Sequence, residues 1–141
     1  SEFNLFIMKN NYICPYCKGH PKIEKNIIFL TKTKSGKSAL VLISPEIGDY
    51  TYKSHPSAHF EDGDHVNFIC PICYENLDAN EYDTPNLAKV LMQDSEGKEF
   101  NIVFSKIRGE KCTYKISKDS FEAYGHHTDE YLSFFGESSD D

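Results

Sequence analysis

Cys14-Pro15-Tyr16-Cys17 and Cys70-Pro71-Ile72-Cys73 are two copies of one pattern, C-P-x-C. Two cysteines so spaced, in a tight turn, can aim both sulfurs at one ion. Two such turns supply four soft donors, the set that a tetrahedral metal takes. Proline fixes φ at about −65° and removes one backbone donor. The remaining amides of the turn can point at the thiolates and offset their charge. The reading is one structural Zn2+ held by Cys14, Cys17, Cys70 and Cys73. Paired C-x-x-C units favour zinc; a disulfide framework, a redox pair and a four-thiolate iron site are the competing uses of the same residues. A thioredoxin-like pair needs one C-x-x-C beside a βαβ pattern, and this chain shows two copies and no such pattern. Catalytic zinc keeps an open position. Four cysteines close the shell, so this metal is expected to hold the fold and not to activate water.

Cys14 to Cys17 with Lys18 and Gly19, and Cys70 to Cys73 with Tyr74, resemble the zinc knuckles of zinc-ribbon and rubredoxin-like proteins. The resemblance implies a ribbon-like four-cysteine site. It also implies the role such proteins often have as a class, as adaptors for proteins or nucleic acids. A knuckle of this kind usually carries glycine soon after its second cysteine. Here Lys18 follows Cys17 with Gly19 one place later, and Tyr74 follows Cys73 with no glycine nearby. The knuckles are separated by 52 residues (18–69). That is long for a minimal ribbon and implies an inserted β unit.

The elements that must position these knuckles read as mostly β, a small α+β fold with inserted hairpins and a short C-terminal helix. Ile23 to Lys32, with Ile27-Ile28-Phe29-Leu30, is a strand. Thr33 to Lys37 is a hairpin turn with Gly36 available for positive φ. Ala39 to Ile43 returns, apolar on both faces. Tyr50-Thr51-Tyr52 is another short strand. His65 to Cys70 places Val66, Phe68 and Cys70 on one face and delivers the second knuckle directly. Glu75 to Pro85 reads as a loop or a short helical turn. Asn86 to Gln93 is taken as a strand, because Asp94 to Lys98 is a turn signal and Phe100, Ile102 and Phe104 then alternate with polar or smaller residues. Cys112 to Ile116 and Phe121 to Tyr124 are the last strands. Thr128 can cap a short helix with Asp129 and Glu130 at its favourable end. That helix ends at Gly136, and it displays Tyr131, Phe134 and Phe135 as a protein-facing surface.

Composition bounds the rest. The chain has 141 residues, 39% hydrophobic and 13% aromatic without tryptophan, enough for one ordinary domain. The high aromatic share favours β structure. No apolar run is long enough to span a membrane. Ser1 to Ile7 reads as a cloning remnant and Met8 as the native start. The zinc-stabilised unit is then 8–136, followed by an acidic disordered tail at 137–141. Thiolate use for metal points to a reducing cytoplasm. Net charge is −7 and uneven: residues 1–70 carry eight lysines against seven acids, and 71–141 carry seven basic residues against fifteen acids. That balance opposes broad nucleic-acid binding, which draws its affinity from Lys and Arg. Arg108 is the single arginine, which also counts against base reading.

The basic run Lys18, Lys22, Lys25, Lys32, Lys34 and Lys37, with Tyr16 and Phe29 to stack on bases, is the best case for RNA or the ribosome. Lysines also line solvent faces and edge strands, and the net charge favours that reading. Cys112 is either a nucleophile activated by a histidine or a small buried residue; the second is the commoner state. His55, His59, Glu61, Asp62, Asp64 and His65 have ligand-type side chains but no H-E-x-x-H spacing, so a solvated loop is expected. His20, His126 and His127 read as surface residues. Thr33 to Ser38 lacks the first glycine of a phosphate loop. The sequence therefore reads as a non-enzymatic zinc-binding interaction module with a protein partner, with an RNA- or ribosome-associated factor and a Cys112-dependent enzyme as alternatives.

Overall fold

The computed structural model describes residues 11–135, apart from 24, 56, 57, 59 and 83. Met8, the remnant before it, Gly136 and the 137–141 tail lie outside the described residues. Among the described residues ten strands run in chain order: β1 (Asn11–Ile13), β2 (Lys22–Ile23), β3 (Asn26–Thr33), β4 (Ser38–Ile43), β5 (Tyr52–Ser54), β6 (Val66–Ile69), β7 (Leu87–Gln93), β8 (Glu99–Ser105), β9 (Thr113–Ile116) and β10 (Phe121–Tyr124). A 3-10 helix, Thr128–Phe135, follows. The chain is mostly β, arranged as two antiparallel sheets. One has the order β1-β7-β8-β9-β10; the other has β2-β3-β4-β5, with β6 also paired to β3.

Alternation builds the strands. In β3, Ile27, Phe29, Thr31 and Thr33 are buried while their neighbours are not. In β7, Val90 and Met92 are buried between half-buried residues. The period of two puts one set of side chains on the core face. Leu40 of β4 points the other way and is exposed. The β7–β8 hairpin turns where Asp94 accepts the Glu96 and Lys98 amides on Oδ1 and Gly97 takes φ 84°, a conformation glycine adopts without steric cost.

Three expectations need correction. The strand expected at Tyr50-Thr51-Tyr52 begins only at Tyr52. Asp49 Oδ1 captures both the amide and the hydroxyl of Thr51, a side-chain turn that competes with a ladder. The Tyr50 hydroxyl meanwhile reaches across to the Tyr124 carbonyl, at 3.0 Å. The second correction is at Asn76 to Ala79, expected as a loop or helical turn. It runs extended between the two sheets: Ile69 bridges Asn76, the Leu77 amide donates to Phe68, the Lys89 amide donates to Leu77, and Asp78 bridges Ala88. Lys106, 3% exposed, pairs with Asp78 at 2.6 Å and fixes the outer end of this seam.

The third correction concerns the tail. Tyr131 is 5% exposed and its hydroxyl donates to Glu110. The Phe135 ring lies 4.5 Å from that of Tyr114 and 4.6 Å from that of Tyr82. Tyr131 is core, Phe135 packs half-buried against that core, and of the three only Phe134 is exposed. Tyr131 and Phe135 join Leu87, Val103, Cys112 and Tyr114 in one cluster. A second cluster draws Phe29 and Ile27 from one sheet, Val90, Met92 and Ile102 from the other, and Cys14 and Cys70 with them. Burial of this kind, at about 25 cal/mol per Å² of apolar surface, is what drives such sheets together.

Candidate metal centre

Each knuckle grows from the end of an edge strand. Ile13 of β1 leads into Cys14, and Ile69 of β6 leads into Cys70. β1 belongs to one sheet and β6 to the other, so the four cysteines stand where the two sheets meet. The turns repeat one another bond for bond. Lys18 donates its amide to the Cys14 carbonyl and Tyr74 donates to Cys70; the Cys14 amide donates to Gly19 and the Cys70 amide to Glu75.

The sulfurs converge. All four Sγ atoms lie within 4.8 Å of one another. Cys14 to Cys73 is 3.8 Å and Cys17 to Cys70 is 3.9 Å. A tetrahedron with metal–sulfur bonds of about 2.3 Å has edges of about 3.8 Å. Amides aim at the sulfurs: Tyr16 and Cys17 at Cys14, Gly19 at Cys17, Ile72 at Cys70. Amide donors suit thiolates. Burial pushes the Cys14 and Cys70 thiols above the usual range, with the amides pulling the other way. The Gly19 amide holds the exposed Cys17 thiol below it. Two buried sulfurs that resist ionisation alone, with donors already directed at them, suit a cation at their centre. The four cysteines can hold a metal ion.

No family model, no curated protein and no solved structure matches this chain. The site therefore stands on its own geometry.

The other residues singled out from sequence are dispersed. Lys18, Lys22 and Lys25 lie near the first knuckle, at the start of β3, whereas Lys32, Lys34 and Lys37 surround the hairpin at its far end. Lys22 lies opposite Ile27, five strand steps from Lys32 and roughly 17 Å away, so the six do not form one patch. Phe29 is 2% exposed and buried in the core, so it cannot stack on a base; Tyr16 is exposed. Cys112 is 1% exposed, and burial, with Glu110 next, pushes its thiol up to about 11. That is the opposite of an activated nucleophile.

His59 lies outside the described residues. Glu61 to Asp64 form a tight turn: Asp64 accepts the Glu61 amide at 2.8 Å, and the Gly63 amide donates to the Arg108 carbonyl. Among the described residues the four cysteines are the one cluster with metal-holding geometry. His65 Nε2 sits 3.0 Å from the Pro85 carbonyl, and His127 Nδ1 accepts the Lys111 amide. His20 is exposed.

Two features escaped the sequence reading. Tyr16, Ile72 and Tyr74 are 49%, 52% and 72% exposed, so three of the five exposed large apolar side chains among the described residues stand on the knuckles. Their signal was present as the apolar x of each C-P-x-C and the tyrosine after the second. The other feature is a cleft of about 1190 Å³ between the sheets, lined by side chains from both. It depends on how the sheets diverge, which no local pattern encodes.

Proposed function

We propose that Cys14, Cys17, Cys70 and Cys73 hold one structural Zn2+ in a zinc-ribbon-like site, and that the chain is a non-enzymatic module acting on a protein partner. The observation that carries the metal reading is the convergence of four sulfurs from two amide-lined turns, with edges of 3.8 and 3.9 Å. Four protein thiolates leave no position for a substrate water. The metal would staple β1 to β6 and so hold residues 8–136 as one unit. Structural zinc contributes on the order of 10 kcal/mol, comparable to a small domain's whole stability. A four-thiolate site also fits a reducing compartment such as the cytoplasm.

Elemental analysis of the purified chain should find one zinc per molecule. Chelation should remove hydrogen-exchange protection from the amides of Cys14, Lys18, Cys70 and Tyr74. Retained protection after complete zinc removal, or iron in its place, would overturn the reading.

The partner reading draws support from the three apolar side chains on the knuckles. Changing Tyr16, Ile72 and Tyr74 together to serine should abolish capture of a protein that the unchanged chain retains. Undiminished capture sinks this surface. Salt-sensitive RNA binding instead, lost when Lys18, Lys22 and Lys25 become glutamate, would replace the protein partner with RNA.

A further inference from the structure

We infer that the cleft between the two sheets is a binding site for a single-chain amphipathic carboxylate, with Arg108 holding the carboxylate and the aromatic floor holding the chain. The cleft measures about 1190 Å³, the scale of a small-molecule site, for which about 300–1,000 Å³ is usual. Its floor is apolar. Its accessible apolar surface comes from half-buried Ile43, Ile47, Tyr52, Phe68 and Phe104, with the Phe68 and Phe104 rings 5.1 Å apart and braced from beneath by the buried ring of Phe29.

Arg108 stands at the polar end. Its guanidinium lies over the Tyr52 ring, 4.6 Å from the centroid, and Nε reaches the Tyr52 hydroxyl at 3.3 Å. Both of its backbone groups are clamped, the amide to Asp64 and the carbonyl by the Gly63 amide. The charge is thus held in a fixed place. Among the described residues no carboxylate pairs with it: the ion pairs are Lys89–Glu81, Lys98–Asp119 and Lys106–Asp78. A stacked, oriented guanidinium with its terminal donors unused is a receptor for a planar anion.

The surroundings select the charge and shape of the ligand. Glu46, Asp49 and Asp62 also line the cleft, with Arg108 and Lys111; their repulsion is twice as large for a dianion as for a monoanion, which favours a monoanionic head. Glu110 is already engaged by Ser105 and Tyr131. Residues 44–51 line the cleft as one continuous segment, latched at both ends by the Tyr12 hydroxyl on the Pro45 carbonyl and by the Tyr50 hydroxyl on the Tyr124 carbonyl. One slender chain fits beside such a held segment better than a branched or two-tailed molecule.

The test is an NMR titration of the full, metal-loaded chain with decanoate and, separately, with 1-decanol. Decanoate should saturate one site, shift the amides of Phe68, Phe104 and Arg108, and bind at least about tenfold tighter than decanol, the worth of a charge-assisted hydrogen bond. Arg108→Met, which keeps bulk over Tyr52, should bring the two ligands to equal affinity. Absence of saturable shifts, equal affinity of the two ligands for the unchanged chain, or a preference that survives in a folded Arg108→Met overturns the proposal. The comparison of the two ligands on the unchanged chain decides it even if the variant does not fold.

Discussion

Lys18 and Tyr74 hold the same left-handed backbone, with φ of 63° and 66°, each one residue past the second cysteine of its knuckle. They are the non-glycine residues with positive φ among those described. The turn needs this conformation so that the chain doubles back and the next carbonyl, of Gly19 or Glu75, accepts the amide of Cys14 or Cys70, at 2.9 and 3.0 Å. Glycine would adopt it freely. A side chain there costs roughly 1–2 kcal/mol.

Lys18→Gly and Tyr74→Gly should therefore each stabilise the zinc-loaded protein. Relief of left-handed strain is partly offset by glycine's greater freedom when unfolded, roughly 0.5–1 kcal/mol. The net gain should be about 0.5–1 kcal/mol per site, a rise of roughly 2–5 °C in Tm. Tyr74 is 72% exposed, so little packing is lost. Tyr74→Val should lower Tm, since a β-branched residue tolerates positive φ worst. A fall in Tm for both glycine variants would mean that the side chains stabilise the knuckles more than the strain costs.

Cys112 should make the fold alkali-sensitive. Burial raises its thiol from about 9 to about 11 in the folded chain, so the folded state holds this proton more tightly than the unfolded one. The associated stability is complete below pH of about 9 and is lost as pH rises to about 11, on the order of 2 kcal/mol in all. Tyr12, raised to about 12 by burial, adds a second loss starting near its unfolded value of 10. Thermal unfolding of the unchanged chain and of Cys112→Ala across pH 8 to 11 checks this. The gap between them should shrink as pH rises, because only the unchanged chain loses the thiol contribution. A constant gap would place Cys112 in a less buried setting. The same burial predicts slow alkylation of Cys112 at neutral pH in the folded protein, which argues against the enzyme reading.

The metal quartet was legible because its signal is local: spacing within each knuckle and identity of pattern between them. Strands β3, β4, β7 and β8 were legible for the same reason, through alternation and turn residues. What was not legible depends on partners distant in sequence. Asn76-Leu77-Asp78-Ala79 does alternate, and Leu77 and Ala79 are buried. Four residues, however, are too few to tell a strand from a loop without knowing that β6 and β7 lie on either side. The lysine run looked continuous because sequence neighbours look like spatial ones, whereas an eight-residue strand carries Lys32 away from Lys22. The cleft and the stacked Arg108 arise from tertiary divergence of two sheets, to which no periodicity responds.

The C-terminal aromatics give the sharpest contrast between reading and structure. Tyr131, Phe134 and Phe135 are alike in composition, and a short segment has no face until its neighbours are known. In the fold, the Phe135 ring lies 5.4 Å from Phe121 and 4.5 Å from Tyr114, while Phe134 is 37% exposed and contacts the ring of Tyr131 from outside. Phe135→Ala should cost about 2–3 kcal/mol, below the roughly 3–5 kcal/mol of a fully buried phenylalanine because the residue is only half-buried. Phe134→Ala should cost about 0.5 kcal/mol, the range of a surface change. Urea denaturation of the two variants separates them through the midpoint at constant slope. Equal small losses would restore the tail as a free surface. A large loss at Phe135 alone makes Thr128–Phe135 the lid of the second core, so that deleting it would unfold the module before removing any partner contact.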